Sequence, residues 1–159
     1  MATITSLLKA ATGNSQRGRN PYMVENTIDI VATTVDPSSG DVVQAITIPA
    51  GTKILAAGVE VVESATMNTG TDATVTLGAA DADEYVTAFD IDGASDGDYA
   101  PSVTVSADVV LASADTLDLT FAGTGASFTA GKLRVYAIMM DVSSQGDTSA
   151  NEVDRDTLA

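Results

Sequence analysis

Lys132-Leu133-Arg134-Val135-Tyr136-Ala137-Ile138-Met139-Met140-Asp141-Val142 decides the fold. Lys132 and Arg134 fall on one face and Leu133 and Val135 on the other, a period of two, which is the pattern of a strand with one side buried and one side wet. Working back along the chain, the same alternation recurs in short pieces. Thr116–Phe121 places Leu117, Leu119 and Phe121 on one face, and Ala73–Leu77 does the same with Val75 and Leu77. Lys53–Glu63 alternates Val59 and Val61 against Glu60 and Val62, with Gly58 inside it suggesting a bulge or bend. Val42–Ile48 and a strand opening near Asn26 with Ile28 and Ile30 precede these. Ser102–Ser106 and Val109–Leu111 read as further short strands, and Tyr85–Ile91 as a strand or a short helical turn.

Turn chemistry separates the pieces. Asp36-Pro37-Ser38-Ser39-Gly40-Asp41, Pro49-Ala50-Gly51-Thr52 and Asn68-Thr69-Gly70-Thr71-Asp72 all carry the Pro, Gly, Asn and Asp that tight turns use. Gly123-Thr124-Gly125-Ala126 and Thr129-Ala130-Gly131 are expected to separate the last two strands. Many short strands punctuated in this way predict an all-β fold, an antiparallel β-sandwich or jelly roll. The expected core is Ile28, Ile30, Ile46, Ile48, Ile54, Val59, Val61, Val75, Leu77, Leu117, Leu119, Phe121, Leu133, Val135 and Ala137. The organisation expected is an extended N-terminal arm over residues 1–25, a sandwich over 26–142 and an acidic C-terminal tail over 143–159.

Composition narrows the function classes. The chain has 159 residues with no histidine, cysteine or tryptophan. That excludes a Ser-His-Asp triad, a cysteine nucleophile, a disulfide and the usual His/Cys zinc site. The lysines Lys9, Lys53 and Lys132 form no serine–lysine motif, and Gly123-Thr124-Gly125 lacks the ending of a phosphate loop. No enzymatic activity is expected. The formal net charge of −15 argues against nucleic acid as a partner, because phosphate binding wants clustered Lys and Arg. No run approaches the ~20 apolar residues of a membrane span, and Leu7-Leu8 followed by Lys9 is too short for a signal peptide.

The charge is divided unevenly. Residues 1–19 hold Lys9, Arg17 and Arg19 and no acid, a charge of +3, while the remainder has four bases against 22 acids, −18. A basic arm on an acidic body reads either as a frayed terminus or as a segment that orders on a partner surface. In the second reading Leu7, Leu8, Lys9, Arg17, Arg19 and Tyr22 make the contact. Lys132 and Arg134 are either ordinary surface charges or a contact for an acidic neighbour. Asp81, Asp83, Glu84, Asp90, Asp92, Asp96 and Asp98 form the densest acidic run. It is either a solvated loop or, through Asp90, Asp92, Asp96 and Asp98, a calcium site, although Ala94 stands where an EF-hand loop would place a ligand.

A further signal comes from Ile46-Thr47-Ile48-Pro49-Ala50-Gly51-Thr52-Lys53-Ile54-Leu55, Val59-Glu60-Val61-Val62, Thr74-Val75-Thr76-Leu77-Gly78, Ala114-Asp115-Thr116-Leu117-Asp118-Leu119-Thr120 and Ala130-Gly131-Lys132-Leu133-Arg134-Val135-Tyr136-Ala137-Ile138. Together, over residues 42–142, these runs resemble small structural proteins of tailed bacteriophages: capsid decoration (cement) proteins and related β-sandwich head or tail accessory proteins. The resemblance implies a virion location on the outer capsid surface, binding to the major capsid protein, and a homotrimer near local three-fold axes. It carries over no catalytic residue. Two other classes stay open beside it. One is a receptor- or glycan-binding appendage, with Tyr85, Tyr99 and the acids at 90–98 as its candidates; the other is a head–tail connector component of the same fold.

Overall fold

The structure is a computed structural model that describes residues 20–31, 35, 37–68, 70–100, 110–125 and 128–142. The strands are β1 (Tyr22–Asp29), β2 (Val42–Ile48), β3 (Thr52–Met67), β4 (Gly70–Gly78), β5 (Val86–Asp90), β6 (Asp115–Gly125) and β7 (Phe128–Asp141). They form two antiparallel sheets, one in the order β1-β7-β3 and the other β2-β6-β4-β5. The alternation read from Lys132–Val142 is what builds the first sheet's centre. In β7 Leu133, Val135, Ala137 and Met139 are buried, and the residues between them line the outer face. Every residue expected in the core is buried. The two inner faces meet as one apolar layer that also takes in Ala45, Ala57, Ala65, Ala73, Tyr85, Val86, Ile91, Ala100, Phe128 and Met139.

The connectivity is that of a jelly roll. The chain passes from β1 across to β2, back to β3, across to β4 and β5, and later from β6 back to β7. Between β5 and β6 it returns to the first sheet, where Tyr99 bridges Glu60 and Val110 bridges Lys53, both antiparallel, on the β3 edge away from β7. The Val61 amide donates to the Asp98 carbonyl, the Ala100 amide to the Val59 carbonyl and the Leu111 amide to the Thr52 carbonyl, which fixes these two flanks to β3. These bridges lie along the edge of β3 where a jelly roll places a further strand. The expected strand Ser102–Ser106 lies outside the described residues.

β3 with β4, and β6 with β7, behave as two long strands folded over together. Met67 pairs with Phe128 in the first sheet, and Gly70 pairs with Gly125 in the second, so the register continues through the corner. This corrects the expectation that Gly123-Thr124-Gly125 and Thr129-Ala130-Gly131 are turns. Both lie within strands, and only residues 126–127 separate β6 from β7. Gly131 serves packing instead: a Cβ there would stand 2.6 Å from Ile30 Cδ1, and its φ of 141° disfavours any other residue. Phe121 and Phe128 close the corner edge to face, with ring centroids 6.2 Å apart.

Other boundaries moved too. β1 opens at Tyr22 rather than near Asn26, so the last residues assigned to the arm already pair with β7, Tyr22 opposite Met139. β3 runs on to Met67, and Tyr85–Ile91 resolves as the strand β5, with Tyr85 itself buried just before it. Residues 1–19 and 143–159 lie outside the described residues. The chain therefore enters at Asn20 and leaves at Val142 from one end of the sandwich, on neighbouring strands, beside the β2–β3 turn, where the Val142 amide donates to the Gly51 carbonyl at 2.8 Å.

Candidate interaction surface

The outer face of the β1-β7-β3 sheet is built in cross-strand rows. The register places Asp29, Lys132 and Glu63 in one row, and Thr27, Arg134 and Glu60 in the next. The row after that is Glu25, Tyr136 and Gly58, and the last is Met23, Ile138 and Ala56. The face is thus graded from charged to apolar. Lys132 Nζ donates to Glu63 Oε2 at 2.5 Å, and Arg134 Nη1 donates to Glu60 Oε2 at 2.8 Å. The Glu63 carboxylate, as hydrogen-bond and charge partner, holds the Lys132 ammonium above its usual value. Both of the basic residues singled out on the last strand therefore have partners within the chain. Half-exposed pairs of this kind contribute modestly to stability, because solvent screens them.

Glu60 also anchors Tyr99. Its negative charge, with burial and a hydrogen bond adding, raises the Tyr99 phenol above the ordinary tyrosine value. Tyr99 packs edge to face on Tyr136, with centroids 6.2 Å apart and planes at 68°. Tyr136 in turn lies over Gly58, where an added Cβ would stand 2.5 Å from the Tyr136 hydroxyl. Gly58 is thus present for close approach of a ring and stays in register opposite Tyr136; the irregularities in β3 fall at Ile54/Ala56, Val61/Glu63 and beyond, not at the glycine. This Tyr99–Tyr136–Glu60–Arg134 cluster was not legible as a unit. The spacing signal exists only for Arg134 and Tyr136, which share a strand face, while Tyr99 arrives from a flank that bridges β3.

The acidic run Asp81–Asp98 is divided by the fold. β5 spans only Val86–Asp90, yet it crosses the second sheet, so Asp81, Asp83 and Glu84 sit at one end and Asp92, Asp96 and Asp98 at the other. Each candidate cation ligand has its own backbone donor. Asp90 Oδ1 accepts from the Gly93 amide at 2.8 Å, Asp92 Oδ1 from the Ala73 amide at 2.7 Å, and Asp98 Oδ2 from the Ser95 amide at 2.8 Å. Asp96 Oδ1 accepts from the Ser64 amide at 2.7 Å and its hydroxyl at 2.6 Å, and these bonds hold its carboxyl below the usual aspartate value. Among the described residues no three acids converge as ion ligands do. Asp96 and Asp92 fasten the loop to β3 and β4, while Asp90 and Asp98 close turns within it.

The described apolar exposure concentrates on one lateral side. Tyr22, Met23, Val31 and Val42 are exposed along β1, β2 and the start of their connection. There the two edge strands are tied by Asn26 Nδ2 donating to the Ala45 carbonyl at 2.9 Å. Beside them lies a depression of about 550 Å³ lined by Val35, Pro37, Asp41, Val42, Val43 and Gln44. Tyr22 is the one proposed arm contact that the structure places; Leu7, Leu8, Lys9, Arg17 and Arg19 lie outside the described residues. Tyr85, offered as a glycan contact, is buried and unavailable for one, whereas Tyr99 is 57% exposed.

The fold so built is an antiparallel jelly-roll module, and solved structures share it. A chain of the cyanophage Pam1 capsid asymmetric unit superposes with a TM-score of 0.63 at 17% identity, covering 87% of this chain and 97% of that one. A chain of the Ralstonia phage GP4 capsid gives 0.54 at 14% identity, over 77% and 86% of the two chains. A chain of the acid-stable capsid of Helicobacter pylori bacteriophage KHP30 gives 0.50 at 15% identity, over 76% and 86%. At these identities the likeness establishes a common fold. No protein-family model and no curated protein sequence matches the chain.

Proposed function

We propose that this chain is a structural accessory protein of a tailed-phage head, a decoration (cement) protein that binds the major capsid protein on the outer capsid surface as a homotrimer. The observation that carries this reading is the superposition on a chain of the Pam1 capsid that is matched over 97% of its length, so the likeness is to a whole component and not to a fragment of a larger one. The surface supports it. An exposed edge of Tyr22, Met23, Val31 and Val42 suits contact with a protein neighbour, since unpaired strand edges and apolar side chains are costly to leave in water. The arm, the residues before β1, is the anchor: its +3 charge over residues 1–19 opposes the −18 of the rest, and repeated copies on a lattice add avidity to weak single contacts. The reading assigns the chain no catalytic step.

Deleting residues 1–20 is the test. The truncated protein is expected to keep its β-sheet circular dichroism and cooperative melting while losing occupancy on undecorated heads in a sedimentation assay. Wild-type occupancy by the truncated protein removes the arm as anchor. Copies confined to a single vertex in cryo-EM of the particle reassign the chain to a connector.

A further inference from the structure

We propose that Tyr99, Tyr136, Glu60 and Arg134 form a binding site for a neutral carbohydrate, a pyranose ring of an uncharged oligosaccharide. Tyr99 is 57% exposed, yet it is not a loose surface ring. It bridges β3 opposite Glu60, and its edge-to-face contact with Tyr136 fixes its tilt. Among the other exposed apolar residues described, Met23, Val31, Val42 and Val110 offer no ring to stack on, and Tyr22, the other exposed ring at 39%, lies on the β1 edge away from this cluster.

Sugar recognition asks for two things at once. An aromatic ring meets the C–H face of the pyranose, and adjacent polar groups accept from and donate to its hydroxyls. A rigid aromatic supplies contact area at low entropic cost, and a few placed polar groups fix orientation. Here Glu60 supplies acceptors and Arg134 donors, held together at 2.8 Å, with the Glu60 side chain 15% and the Arg134 side chain 36% exposed. Both belong to the same cross-strand row, and Tyr136 stands in the next row over Gly58. The four groups are thus positioned by backbone pairing before any ligand arrives, which lowers the ordering cost of binding. The ligand is neutral because the guanidinium charge is already matched by Glu60, and the surrounding chain carries a net charge of −15 that repels uronates and sialates.

The test titrates the full-length, isotope-labelled protein with neutral gluco-, galacto- and manno-oligosaccharides and, for comparison, with oligogalacturonate, followed by NMR. At least one neutral oligomer is expected to give saturable shifts at Gly58, Glu60, Tyr99 and Tyr136 at millimolar concentration. Affinity is expected to fall at least tenfold in Tyr99→Ala and in Glu60→Gln, and to stay unchanged in Tyr22→Ala, on the other side of the sheet. Tyr99→Phe, which keeps the ring packing, is expected to fall between wild type and Tyr99→Ala and guards against a folding artefact. The proposal is overturned if no neutral oligomer shifts these signals, if oligogalacturonate binds more tightly, or if Tyr99→Ala binds like wild type. It is also overturned if these signals, and not those of the rest of the sheet, broaden with protein concentration, which makes the cluster a contact between copies of the chain. None of these outcomes bears on the capsid assignment, which the arm truncation tests separately.

Discussion

Burial pushes the Tyr85 phenol up from 10.0 to about 12, with the Glu84 carboxylate adding to the effect. The ring enters the core just before β5, so its ionised form must give up hydration to stay folded. The sign follows from proton counting. Below pH 10 folded and unfolded chains both keep the proton, and Tyr85 adds no pH dependence to stability. Between pH 10 and 12 the unfolded chain releases it first, so the unfolded state binds fewer protons and stability falls as pH rises. Denaturation midpoints are therefore expected to drop through this window in the wild type. In Tyr85→Phe the drop is smaller, measured by urea unfolding at steps of pH; an identical drop in both proteins would remove Tyr85 as the cause. A tyrosine proposed from sequence as a surface contact is thus a core residue, and the cue that separates it from Tyr99 is the register of β5 on β4, which local sequence does not carry.

Within elements, Gly58 and Tyr136 make a cross-strand unit between β3 and β7 in which an aromatic ring covers the missing side chain. Gly58→Ala is expected to cost about 1–3 kcal/mol, the range for overpacking, and to disturb the Tyr99 ring signals as Tyr136 is displaced. In a Tyr136→Ala background the same substitution is expected to cost far less, because the space is then open; equal costs in both backgrounds would show that the ring is not the obstacle. This pair also marks where sequence reading succeeds and stops. Alternation found the bounds of β2 and every proposed core residue, because a period of two is a local property of a half-buried strand. It missed the continuation of β3 through Ser64-Ala65-Thr66-Met67, where small and polar residues mute the contrast although Ala65 is buried. It took the glycines near 123–131 for turns, when their work is close packing at a corner. The acids at 81–98 looked like one cluster because sequence distance is short, while a five-residue strand separates them by roughly 15 Å.

At the scale of the molecule, the doubled-over pairing of β3–β4 with β6–β7 dominates the topology. Its partners are far apart in sequence, Thr52 with Asp141 at the extreme, so loop closure must precede most of the reward. Folding is accordingly expected in the slow range of non-local β proteins, milliseconds to seconds.

The shared exit of the two chain ends bears on how the protein takes mechanical load. β1 starts where β7 finishes, and the two are hydrogen-bonded neighbours. Tension applied between Asn20 and Val142 pulls on that pair from its open end, so the ladder bonds yield one after another, beginning at Tyr22 and Met139. Tension applied between Asn20 and the Asp92–Asp98 loop, at the opposite end, loads the β1–β7 bonds side by side, and they must fail together. Single-molecule pulling through handles at residues 20 and 142 is expected to give a markedly lower rupture force than pulling through residues 20 and 95. Equal forces would mean that another contact carries the load. A sandwich tethered by its arm and strained from its far loops is held in its strong direction, while the same sandwich tugged by both tails peels open like a zip.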